Sequence, residues 1–158
     1  MIAAARNPKQ GSLVALCGLC GLRIAESLSV RPSHFNFTDL TLSVRGKGDV
    51  TRIIPVSDEA WEVLFPAVSQ AFITGDNPPI IDFKDRFARS LITKLGERAG
   101  LSRRVASHDL RATFATAVYN ATLDQRLVQE LLGHASGNTT EIYIEVALKS
   151  KKAAVNKI

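Results

Sequence analysis

Tyrosine is scarce in this 158-residue chain: Tyr119 and Tyr143 are the only two, so chemistry that needs a phenol has two side chains to choose from. Cysteine is equally scarce. Cys17 and Cys20 form one C-x-x-C, a spacing that can serve redox chemistry or half of a zinc site. No second cysteine pair accompanies them, and they lie in the apolar stretch Leu13-Val14-Ala15-Leu16-Cys17-Gly18-Leu19-Cys20, where free cysteine packs as a small hydrophobe. Neither a disulfide framework nor a metal is inferred. No apolar run reaches the roughly eighteen residues of a membrane helix, and Leu13 to Leu22 is too short and too broken by glycine. The basic, apolar and small-residue order of a signal peptide is missing as well. With no internal repeat or low-complexity segment, the expectation is one cytoplasmic domain with no membrane partner.

What is present is an excess of positive charge, unevenly placed. The formal charge is +5 and the pI about 9.5. Seven basic residues (Lys84, Arg86, Arg89, Lys94, Arg98, Arg103, Arg104) face only Asp85 and Glu97 in the same stretch, and the last ten residues carry four lysines and no acid. Such clusters form solvated helix faces, and they are also the electrostatic footprint of phosphate-backbone binding.

The pattern of the chain predicts mostly helix with one small sheet. Pro8 to Leu28 reads as a helix with proline near its first turn. Leu40, Leu42 and Val44 alternate with polar residues, Gly46-Lys47-Gly48-Asp49 intervenes, and Thr51 to Val56 is strand-like again, which predicts a hairpin. Ser57-Asp58 should cap a helix that turns Trp61, Leu64 and Phe65 inward. Lys84 to Ala99 should be helical with Phe87, Leu91 and Leu95 on one face. Ser107 can cap a helix over His108 to Asn120, and Thr122 with Gln125 a helix through Leu132 that Gly133 ends. A short helix through Tyr143 and one in the lysine-rich tail complete the set.

Several residues near the end of the chain are of types that bind, polarise or attack a phosphate: His108-Asp109-Leu110-Arg111, then Leu132-Gly133-His134, then Tyr143 nine positions beyond His134 and thirty-two beyond Arg111. Arg23 in Gly21-Leu22-Arg23-Ile24-Ala25-Glu26 and Lys47 in Gly46-Lys47-Gly48 add two cations upstream. Each motif alone is weak, since surface arginines, turn lysines and helix-end histidines are common. Together they fit the cleavage of a phosphodiester. A phenol can attack phosphorus when its proton is accepted and cations lie close. Guanidinium forks match two phosphate oxygens and stay charged, and an ammonium whose pKa falls on desolvation can protonate a leaving oxygen. Tyr119 follows Arg111 within Phe114-Ala115-Thr116-Ala117-Val118-Tyr119, where an aromatic more often packs. His34 matches no motif and reads as a surface loop residue, and Arg45 and Arg52 read as backbone contacts or strand-edge charges.

The joint order Arg, Lys, His-x-x-Arg, His, Tyr resembles the catalytic domain of the tyrosine recombinases, the phage integrase family, from about Leu13 to Val146. The resemblance implies that family's mainly α fold with a small antiparallel hairpin, and a site of Arg23, Lys47, His108, Arg111, His134 and Tyr143 supported by Glu26. His108 would accept the tyrosine proton, His134 would hydrogen-bond a non-bridging oxygen, and Glu26 would buttress the site. It further implies strand exchange through a 3′-phosphotyrosyl link, so no ATP, nucleotide cofactor or metal is called for. Implied partners are duplex DNA with specific recombination sites, three more copies in a tetramer on DNA, and an accessory DNA-bending protein; the isolated domain would be a monomer. The N-terminal core-binding domain of such recombinases is absent here, so residues 1–158 read as an excised catalytic domain. Many relatives carry a histidine where this chain has Ala112, a departure outside the catalytic set. Two other readings use the same residues: a type IB topoisomerase-like nicking enzyme, and a non-catalytic helix-turn-helix module over Thr122 to His134.

Overall fold

Helix α1 (Pro8–Gly18) starts where the chain supplies a cap: the Asn7 side chain accepts the Gln10 N–H at 3.0 Å, and proline occupies the first turn. The computed structural model describes residues 1–46, 50–133 and 155–156. Over them the chain is mainly α with one antiparallel sheet of three strands, as the sequence implies. Residues 11 to 17 of α1 are all buried, so this helix is the centre of the core rather than a surface helix.

The single helix expected from Pro8 to Leu28 is instead two. α1 stops at Gly18 and α2 (Ile24–Ser29) begins after Arg23. Gly21 holds φ at +68°, and a Cβ there would lie 2.7 Å from a carbon of the Phe114 ring. The ring of a later helix therefore occupies the space a side chain would need, and only glycine lets the backbone turn there. Leu22 N–H closes the turn onto the Leu16 carbonyl at 2.9 Å.

The hairpin forms as expected. β2 (Thr41–Arg45) pairs with β3 (Thr51–Pro55) in a register that sets Leu42 opposite Ile54 and Val44 opposite Arg52. A two-residue strand β1 (Phe35–Asn36), too short for a sequence pattern, adds to the free edge of β2. α3 (Asp58–Thr74) is capped by Ser57, whose hydroxyl accepts the Ala60 N–H at 3.1 Å. It buries Ala60, Leu64, Ala67, Val68 and Ala71; Trp61 is half-buried, and Phe65 is 54% exposed, contrary to the inward placement expected. The small residues on that stripe let α3 approach α1 closely, and Phe65 is left on the outside edge of Trp61, ring centres 5.6 Å apart. α4 (Asp85–Arg98) likewise buries Ala88, Leu91, Ile92 and Leu95 and leaves Phe87 outside, against Phe83.

α5 (Ser107–Thr122) and α6 (Gln125–Leu132) complete the described helices. Their caps differ from expectation by a residue or two. Ser107 is already helical, and Asp109 secures the start by accepting the Ala106 N–H at 2.7 Å. Thr122 ends α5, and Asp124 caps α6 by accepting the Leu127 N–H at 3.0 Å. The expected helix through Tyr143 lies outside the described residues. Of the tail, Val155 is buried against Phe114, Val118, Leu131 and Leu132 in a second apolar cluster, and Asn156 accepts the Asp58 N–H. The larger cluster surrounds α1, and α2 with the Gly21 turn runs along the seam between the two. Cys17 and Cys20 are buried and free, with burial raising their thiols to about 11 and about 12, so they serve as packing.

Candidate active site

The break between α1 and α2 is what creates the site. It places Arg23 at the N-cap position of α2 and Glu26 on that helix's first turn, where the carboxylate accepts the Arg23 N–H at 2.8 Å and the Arg23 guanidinium at 3.1 Å. An acid at a helix N-terminus is favoured by the free backbone N–H groups and the helix dipole. Glu26 is nevertheless only 8% exposed. A buried carboxylate requires partners, and three arginines from three parts of the chain supply them.

Arg52 is the strongest of these. Its two terminal nitrogens meet the two oxygens of Glu26 at 3.0 and 2.8 Å, a fork-on-fork pair, while Nε donates to the Leu131 carbonyl at 3.1 Å. The sequence makes Arg52 a backbone contact or a strand-edge charge; its side chain is instead only 10% exposed. Strand alternation carried the signal: Arg52 stands opposite Val44 and two residues before Ile54, hence on the inward face. An arginine on an inward face calls for an acid.

Arg111 enters from the first turn of α5. Its Nη1 donates to the Gly21 carbonyl and its Nη2 to the Leu132 carbonyl at 2.7 Å, and Glu26 lies 3.8 Å away. Those carbonyls belong to the Gly21 turn and to the end of α6, so one guanidinium bridges the seam between the clusters. Burial pulls Arg111 down to about 10, and the nearby positive charge of Arg23 adds to this while Glu26 opposes it. It remains protonated at neutral pH. Burial pushes the Glu26 carboxyl up, but hydrogen bonds from Arg52 and from the Arg23 backbone outweigh it, and the group sits below its ordinary value.

Three guanidinium charges thus surround one carboxylate, an excess of two positive charges. Arg23 is the exposed member, with 45% of its side chain open to solvent. Such an arrangement suits an anion approaching from outside, with Arg23 reaching it first and Arg111 held rigid behind. His108, one turn before Arg111 on α5, is exposed and shares that helix's face with it. Lys47, His134 and Tyr143 lie outside the described residues; on either side of residues 47–49 the Gly46 N–H donates to the Val50 carbonyl at 2.8 Å. Tyr119, expected to pack, is 45% exposed on α5. His34 accepts the Arg31 N–H at 3.3 Å. An open groove of about 650 Å³ runs between α4 and the start of α5, lined by Arg86, Arg89, Lys94 and Arg104 with Asp85 and Glu97 among them. The arginines around Glu26 are not among its lining residues.

Residues 2–149 match the phage integrase family. The chain belongs to that family. Among curated members, it is 33% identical over 168 residues to the tyrosine recombinase XerA of Pyrococcus horikoshii, covering 99% of this chain and 57% of that one. It is also 33% identical to the tyrosine recombinase XerC of Anoxybacillus flavithermus, over 85% of this chain and 49% of the other. The chain therefore spans about half the length of these relatives. Among solved structures, the integrase from mycobacterium phage Brujita superposes with a TM-score of 0.78 at 26% identity, over 99% of this chain and 54% of that one. The XerH recombinase in a post-cleavage complex with a palindromic difH substrate gives 0.70 at 26% identity, over 93% and 45%. The fold is that of the catalytic domains of this family, and among the described residues no helix is long and apolar enough to cross a membrane.

Proposed function

We propose that residues 1–158 form the catalytic domain of a site-specific DNA recombinase that cuts and rejoins strands through a 3′-phosphotyrosyl link to Tyr143. The observation that carries the reading is the convergence of Arg23 and Arg111 on Glu26, with net positive charge left over, in a chain of the phage integrase family. In this scheme Arg23 and Arg111 bind the two non-bridging oxygens of the scissile phosphate and stabilise the charge that builds on them. The Tyr143 oxygen attacks phosphorus as its proton passes to His108. The bond to the 5′ oxygen breaks, and that oxygen takes a proton from Lys47. His134 hydrogen-bonds a non-bridging oxygen. Rejoining is the reverse, with a new 5′ hydroxyl as attacking group, so the phosphodiester energy stays in the protein link and no external energy source is required.

The partner in this reading is duplex DNA, met by the exposed Arg23 and the basic groove beside α5. A relative of the same fold was solved in a post-cleavage complex with its difH substrate, which supports DNA as the ligand class. A tetramer on the recombination site and an accessory bending protein belong to the same proposal. A nicked duplex that traps the cleaved state tests it. The chain should form an adduct that survives denaturant, Tyr143→Phe should abolish the adduct, and Tyr119→Phe should leave it. An adduct that persists in Tyr143→Phe overturns the assignment.

A further inference from the structure

The chemistry of phosphodiester transfer proposed above has no step for Arg52, yet its guanidinium donates from a strand to both Glu26 oxygens and to the Leu131 carbonyl near the end of α6. We propose that Arg52 is a positioning residue, the brace that locks the hairpin, the first turn of α2 and the C-terminal end of α6 into one geometry for the reacting groups. This inference rests on the recombinase reading and adds a residue to it.

The argument starts from what Arg52 connects. β3 begins four residues after Lys47, so Arg52 stands five positions from it in the chain. Its guanidinium holds both oxygens of Glu26, which in turn fixes the Arg23 backbone and side chain. Its Nε holds the Leu131 carbonyl, while Arg111 holds the neighbouring Leu132 carbonyl. Two arginines thus grip consecutive carbonyls at the end of α6, and Gly133 and His134 come next in the chain. At Gly133, which has φ +75°, a Cβ would stand 3.0 Å from the Arg52 guanidinium, so the close approach depends on glycine. Without the Arg52 fork, Glu26 would keep a buried charge whose nearest remaining partners are Arg23 and Arg111. The carboxylate would then move toward Arg111 and engage the guanidinium that is needed for phosphate. Lysine cannot substitute fully, because a point charge cannot span both oxygens and a carbonyl together.

Two measurements on the 158-residue chain separate this from simple stabilisation. The first is the NMR signal of the Arg111 Nε–H, read without DNA in the wild type, Arg52→Lys and Arg52→Gln. The second is the single-turnover rate of adduct formation at saturating nicked duplex. Arg52→Lys keeps the charge and serves as the folded control should Arg52→Gln unfold. In folded variants the Arg111 signal should shift, and the rate should fall by about 10²-fold, the scale of an ångström of misplacement. The DNA concentration at half-saturation should stay as in wild type. An unshifted Arg111 signal with a wild-type rate in folded Arg52→Lys overturns the proposal. So does a rate loss matched by the unfolded fraction alone. If the wild type forms no adduct on any duplex, the recombinase reading fails, whereas the NMR arm still decides whether Arg52 positions Arg111.

Discussion

Glu26 shows how one side chain can organise several others. Its carboxylate neutralises one positive charge while three arginines surround it, and two of those, Arg52 and Arg111, are buried. The positive charge left over among the described residues suits an anionic ligand, as the proposed phosphate site requires. Lys47 belongs to a different chemistry, since it has a proton to give. If it protonates the leaving 5′ oxygen, Lys47→Ala should slow cleavage of ordinary DNA by about 10²-fold or more. On a substrate with sulfur at the 5′-bridging position, whose thiolate leaves without a proton, the same variant should recover most of its rate, whereas Arg23→Ala and Arg111→Ala should not. Equal defects on both substrates would make Lys47 a phosphate-binding residue. At this scale Arg23, Glu26 and Arg111 were legible in the sequence because each stands in a motif with fixed spacing. Arg52 was not, because its role comes from a strand register that joins it to an acid 26 positions away.

Elements were legible where a local signal decides them and illegible where packing does. Pro8 marks the start of α1 and Ser57 caps α3, each by a local rule, and the glycine-rich stretch marks the hairpin. The break at Gly21 escaped because glycine within an apolar run reads as a tolerated helical residue until the Phe114 ring is known to fill the space beside it. Phe65, expected inward on hydrophobicity, and Phe87, expected on one face with Leu91 and Leu95, are both about half exposed, while Ala60, Leu64, Ala67, Ala88, Leu91 and Leu95 take the buried positions of their helices. The Gly21 turn can be tested directly. Gly21→Ala adds a Cβ at positive φ and drives it into Phe114, combining backbone strain with overpacking, each costing about 1–3 kcal/mol. Urea unfolding should show a loss of at least about 2 kcal/mol. A change within error would mean that Phe114 moves aside at no cost, and that the α1–α2 break does not depend on glycine.

At the scale of the whole molecule, basic side chains are open to solvent in more than one place among the described residues. Arg23 is exposed, and the groove between α4 and α5 brings Arg86, Arg89, Lys94 and Arg104 together. Not all of that charge is available. Arg89 is paired with Asp85 through two hydrogen bonds and Arg103 with Asp109, so the count of basic residues in the sequence overstates the positive surface offered to a ligand. Exposed pairs of this kind are worth little in water and open readily when a phosphate competes for the guanidinium. Duplex binding by this chain should therefore be weak and dominated by counterion release, with Kd roughly micromolar or higher near physiological salt and log Kd rising linearly with log salt. The slope measures how many phosphates are neutralised. Replacing Arg86 and Lys94 by glutamine should reduce that slope by about 2, one for each lost phosphate contact, without altering the fold, since neither side chain is buried in the core. Fluorescence anisotropy across a salt series reads the slope. A slope unchanged in the double variant would move the DNA path off the groove and leave Arg23 and the α5 face as the contact surface.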